Sequence, residues 1–127
     1  MVTGLYAGIL GLMLVVLLVR VVRLRMKNRV GLGDGDFPDL RQAIRVHGNF
    51  TETVPFALLI LFLMEMSELP DLLLHGYGVL LVVLRLLHAQ GLTQSATTSF
   101  GRFYGTLGTS ILIATGSLIC IGAYFFS

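Results

Sequence analysis

Residues Leu40 to Pro55 read LRQAIRVHGNFTETVP, and the spacing of their polar side chains decides how the chain is built. Arg41, Arg45, Asn49 and Glu52 follow one another at intervals of four, four and three. At 100° per residue they lie within roughly 80° of each other on a helix, a polar stripe about three turns long. Gly48 shares that face, while His47 points away from it. Pro55 follows Glu52 by one turn and removes the donor that the Thr51 carbonyl would use, so a bend beside the stripe is expected.

The sequence around this stripe is that of a membrane protein. Of 127 residues, 55% are hydrophobic and 13% charged, and the mean hydropathy is +0.86. A spanning helix takes about 20 mostly apolar residues, and four such runs use nearly the whole chain: about Thr3 to Val22, Leu40 to Met66, Leu72 to Leu92 and Phe100 to Phe126. The expected architecture is a single all-α integral membrane domain of four transmembrane helices. The first run lacks the basic start and small-residue cleavage site of a signal peptide, and reads as a retained helix. A net charge of +2 on so apolar a chain gives no basic surface for nucleic acid.

The connections are distinct in composition. Gly31, Gly33, Asp34, Gly35, Asp36 and Pro38 form a turn rather than a nucleotide-binding loop, since no strand precedes them. Asp39 with Gln42 resembles a capping box opening the second helix. Glu65, Glu68, Pro70 and Asp71 mark the second connection, and the polar run Thr93 to Ser99 the third. Basic residues border only the first and third: Arg20, Arg23, Arg25, Lys27, Arg29, Arg41 and Arg45 at one, Arg85 and Arg102 at the other. The positive-inside rule then predicts cytoplasmic first and third connections, with both termini outside. Small residues four apart, Gly4 and Gly8, then Gly101, Gly105 and Thr109, predict close helix contacts. No internal repeat suggests a transporter.

An arginine-containing stripe within a membrane helix marks a functional path more often than a structural one. The third helix adds Arg85 and His88 one turn apart, and the fourth opens with Arg102 and Tyr104. Arginines from all four helices, Arg20 or Arg23, Arg45, Arg85 and Arg102, are thus expected in one layer with too few acids to match. Such a layer calls for an anion with several carboxylates, held by guanidinium forks, with Glu52 accepting from an ammonium group. Glutathione carries those groups and a thiol, whose reactive thiolate a neighbouring arginine favours. Cys120 is the sole cysteine, so the chain has no redox pair or cysteine-based metal site of its own, and no metal is expected. His75 reads as an interfacial residue and Cys120 as an inert packing residue.

The stretch Leu40 to Pro55, together with VRLRMK at Val22 to Lys27, Arg85 with His88, GDG at Gly33 to Gly35 and MEM at Met64 to Met66, resembles the MAPEG family, the membrane-associated proteins of eicosanoid and glutathione metabolism. It is most similar to the bacterial inner-membrane branch. The resemblance implies a homotrimer of four-helix subunits binding glutathione between neighbours near the cytoplasmic side. It assigns ligand contacts to Arg23, Arg45, Asn49, Glu52, Arg85 and His88, and thiolate stabilisation to Arg102, with Tyr104 as the alternative catalytic group. The implied activity is a glutathione-dependent transferase or peroxidase acting on a lipophilic electrophile in a lipid setting. A non-catalytic scaffold or ligand-binding protein of the same fold is the alternative. Two departures from the family pattern remove polar contacts: Gly48 stands where some relatives carry arginine, and no tyrosine occurs near Leu92.

Overall fold

A computed structural model of the chain describes residues 1–94 and 100–126; most of the third connection read at Thr93 to Ser99, and the Leu92 side chain, lie outside what it describes. Four helices follow in order: α1 (Val2–Asn28), α2 (Pro38–Met66), α3 (Asp71–Gln94) and α4 (Phe100–Phe126). At 1.5 Å per residue these are about 36 to 44 Å long, enough to cross the ~30 Å hydrocarbon layer. All four are also apolar enough to do so.

α1 runs past Val22 to Asn28 and carries Arg23, Arg25 and Lys27 as helical residues. Lysine and arginine are good helix formers, and their charge suits the negative end of the helix dipole. The helix stops at Arg29, which adopts a left-handed conformation (φ 55°, ψ 45°), and the Val30 amide turns back to the Arg25 carbonyl at 3.0 Å. The glycine turn forms as expected. Gly33 and Gly35 both have positive φ, and a methyl group on Gly35 would lie 2.6 Å from Val30 Cγ2. Arg25 Nη1 donates to the Gly33 carbonyl at 2.7 Å and ties the turn to α1.

No capping box starts α2. Its N-cap is Phe37, without a side-chain cap bond, and Pro38 opens the helix. A proline there already has a helical φ, and its missing N–H would have lacked a partner in any case. Asp39 instead lies inside the first turn, where its Oδ1 accepts from Asn28 Nδ2 (3.2 Å) and the Leu40 amide (2.7 Å). α2 continues unbroken through Pro55.

α3 and α4 form the most extensive helix pair, and α1 packs on α2 and α3 but not on α4 among the described residues. The reason is the glycines of α4. Gly105 lies against the His88 backbone, Gly108 against Leu84, and Gly116 against Ile60 and Tyr77. Gly105 and the buried Thr109 belong to the expected small-residue pattern. Gly4 and Gly8 of α1 face open space. The core, with Leu10, Phe50, Val54, Ala57, Leu61, Leu74, Leu81 and Leu112, is matched by outward faces just as apolar, as at Leu12, Val16 and Leu118. A helix that is hydrophobic all round has lipid as its natural surroundings.

Candidate functional site

The basic residues occupy one end of the bundle, and α2 orders the chemistry there. Its core-facing residues Leu40, Ala43, Val46, Phe50, Val54 and Ala57 repeat with the helical period. Arg45 and Glu52 fall on the opposite face, roughly 140° to 160° around the helix from Phe50, and both are exposed. Between them Gly48 leaves the backbone bare. A Cβ there would be 3.7 Å from Arg45 Nη1 and 3.9 Å from Glu52 Oε1, so the two charged tips bracket one small patch. They do not pair, and neither has a hydrogen bond or ion pair among the described residues. Asn49 lies to one side, with its Oδ1 buried and unpartnered. The neighbouring threonines are satisfied locally: Thr51 donates to the Gly48 carbonyl at 2.9 Å and Thr53 to the Asn49 carbonyl at 2.8 Å.

Arg41 leaves the expected stripe. Its Nε donates to Asp34 Oδ2 at 2.8 Å, with Asp36 at 3.7 Å, and so pins the glycine turn to α2. The Arg41 guanidinium, followed by the Asp36 amide, holds the Asp34 carboxyl below its ordinary pKa.

Arg85 and His88 lie inside the subunit. Arg85 is 1% exposed, the largest fully buried side chain. Its guanidinium sits 5.6 Å from the Phe50 ring centroid, and Nη2 is 3.3 Å from His88 Nδ1. Nε and Nη1 are buried without a partner, and no carboxylate pairs with the group among the described residues. An unpaired buried cation is expensive, which makes this a receptor for negative charge rather than a packing element. His88 is held by the close approach of Gly105, one turn along α4 from Arg102. Arg102 is half-buried and close enough for its charge to act on His88. Tyr104 is exposed, its ring edge-on to Phe103 at 5.1 Å.

The single arginine layer expected from the sequence therefore divides. Arg45, Asn49 and Glu52 gather around Gly48 on the outer side of α2, whereas Arg85, His88 and Arg102 gather on the inner side, under Phe50. Arg23 joins neither set; it lines a groove on α1 with Arg20. No cluster of three or more histidine, cysteine, aspartate or glutamate side chains able to hold a metal occurs among the described residues.

At the opposite end lie groups whose partners the sequence did not disclose. Glu65, read as part of a connection, is within α2 and accepts from the Val2 amide (2.6 Å) and the Thr3 amide (2.8 Å). Tyr6 OH is 2.7 Å from His75 Nδ1. The only signal for the first contact was a lone carboxylate in an apolar helix turn at the end where α1 begins.

Four apolar helices, a charged stripe turned away from its own core and a buried arginine without a counterion define an integral membrane protein built to receive an anion. The chain belongs to the MAPEG family, whose model matches residues 3–122. It is similar to inner membrane protein YecN of Escherichia coli strain K12, at 43% identity over 91 residues, 72% of this chain and 70% of that protein. YecN of Escherichia coli O6:H1 matches to the same extent. With these relatives and four apolar helices, the chain is a multi-pass inner-membrane protein. No solved structure matches it.

Proposed function

We propose that the protein binds glutathione and acts as a glutathione-dependent transferase or peroxidase on lipophilic electrophiles, at the cytoplasmic side of the inner membrane. The observation that carries this reading is the unpartnered Arg45 and Glu52 across Gly48, on the face of a membrane helix that its own subunit leaves uncovered. Lipid cannot satisfy that face, so a ligand and a second copy of the chain are its natural cover. The family's trimeric assembly would place the stripe between subunits. Arg45 then takes a carboxylate, Glu52 the ammonium group and Asn49 a peptide amide, with Arg85 and His88 behind α2 supplying further positive charge and hydrogen bonding. Arg102 stabilises the thiolate, with Tyr104 as the alternative. The thiolate attacks the electrophilic carbon and the leaving group departs with its electron pair.

Positioning contacts and thiolate stabilisation separate experimentally. Arg45→Leu should weaken glutathione binding about ten- to a hundredfold, the usual cost of a lost charged hydrogen bond. Arg102→Leu should leave binding within a few-fold and cut turnover of a chlorinated nitrobenzene by about 10- to 1000-fold. Calorimetry and single-substrate kinetics in one detergent, with trimer mass verified, measure both. Unchanged binding in Arg45→Leu makes the stripe structural. Binding by the wild type without thiolate absorbance or turnover makes the protein a ligand-binding member of the same fold.

A further inference from the structure

The groove on α1 stands apart from the site just described. It encloses about 490 Å³ and is walled by Val15, Val16, Val19 and Leu24, with Arg20 and Arg23 towards the basic end and Asp39 at its rim. None of the stripe residues lines it. Along α1 the valines precede the arginines, so over about 12 Å of helix the surface changes from apolar to cationic. That is the polarity of one leaflet of a bilayer: hydrocarbon towards the middle, positive charge at the headgroup level. A soluble anion would use only the cationic end and leave the valine wall, whose three members are largely exposed, without a purpose.

The arginine charges are also uncompensated. Asp39 is the one acid at the groove, and its carboxylate is already engaged by Lys27 at 3.9 Å, Asn28 Nδ2 at 3.2 Å and the Leu40 amide at 2.7 Å. Arg20 and Arg23 have no hydrogen bond or ion pair among the described residues. Two guanidinium groups three residues apart on one helix suit a phosphate diester with its acyl chain laid along the valines.

We propose that this groove is a seat for an anionic phospholipid, its phosphate on Arg20 and Arg23 and one acyl chain against Val15, Val16 and Val19. The seat is independent of the glutathione reading, since neither arginine is needed for the stripe on α2. It holds α1, the helix that packs only on α2 and α3, against the bilayer at the basic end.

The test is lipid retention by the full chain in nanodiscs of phosphatidylcholine containing a minor fraction of phosphatidylglycerol, counted by native mass spectrometry after release. Wild type should retain phosphatidylglycerol in preference to phosphatidylcholine. Arg20→Gln with Arg23→Gln should lower that enrichment about 30-fold, at about five-fold per basic residue near a membrane surface. The pair Arg20→Lys and Arg23→Lys should keep most of it. Val16→Trp fills the groove without touching either charge and should also release the lipid, which keeps the test decisive if the glutamine variant fails to fold. Equal retention of both lipids by wild type would overturn the seat. So would undiminished enrichment in Val16→Trp, or displacement of the lipid by inorganic phosphate or glutathione.

Discussion

The two ends of the bundle treat their polar groups in opposite ways. At the end where α1 begins, Glu65 accepts from the Val2 and Thr3 amides, and Tyr6 meets His75. Further along α3, Tyr77 OH donates to the Ala57 carbonyl at 2.9 Å. Only Thr3 Oγ1 is buried there without a partner. At the basic end Arg45 and Glu52 face outward unpaired, and Asn49 Oδ1 and two nitrogens of Arg85 are orphaned. A fold can satisfy polar groups inside a membrane when they serve stability, as the first end shows. Leaving them unsatisfied at the other end carries a free-energy cost that a bound anion or neighbouring chain removes.

The contrast is broken most directly at Arg85. Arg85→Met removes a buried unpaired cation while keeping most of the volume, and should raise apo stability by about 1–4 kcal/mol. Glutathione should no longer add stability to the variant. Thermal melts with and without ligand measure both, and a destabilised apo protein would mean that the guanidinium has a structural partner after all.

Gly105→Ala comes next. The added methyl would lie 2.7 Å from His88 Cβ and 2.9 Å from His88 backbone atoms, so α4 must move away from α3. A loss of about 1–3 kcal/mol is expected for such overpacking. Gly8→Ala meets open space and should leave the subunit intact. Equal melting shifts for the two would show that the α3–α4 approach is looser than its contacts imply.

At the satisfied end, Glu65→Gln keeps shape but loses the charge that accepts both amides. Faster hydrogen exchange at Val2 and Thr3 is expected, with glutathione binding unchanged. An effect on binding would erase the division between the ends.

The smallest effect concerns Asp34. Its folded pKa is depressed by Arg41, so the tether's contribution is present above the ordinary carboxylate pKa of about 3.9 and is lost as pH falls through the lower folded value. Proteolysis within the glycine turn should therefore increase only below about pH 4, and Asp34→Asn should show the increase at neutral pH.

Much of this was legible from residue order. Hydropathy runs located the helices because lipid imposes one length scale, and the four-four-three spacing placed Arg45, Asn49 and Glu52 together. Helical phase did not tell which side of α2 met α3, so Arg85 was expected beside the stripe and lies behind it, under Phe50. Arg41 shows a second limit: spacing put it in the stripe, but a nearer acid in the turn took it. The start of α2 was misplaced because Asp39 and Gln42 fit a capping pattern, while Pro38 had already fixed the first helical residue. Glu65 was hidden because its partners are backbone amides, which no sequence pattern distinguishes.

The same Glu65 contact gives the chain an order of assembly. The Thr3 amide finds its acceptor 62 residues later in the sequence. At about 5–20 residues per second of synthesis, roughly three to twelve seconds pass between the two. During that interval the first turn of α1 is unsealed, and the α1–α2 hairpin closes only when the end of α2 is delivered, making the hairpin rather than the single helix the unit of insertion.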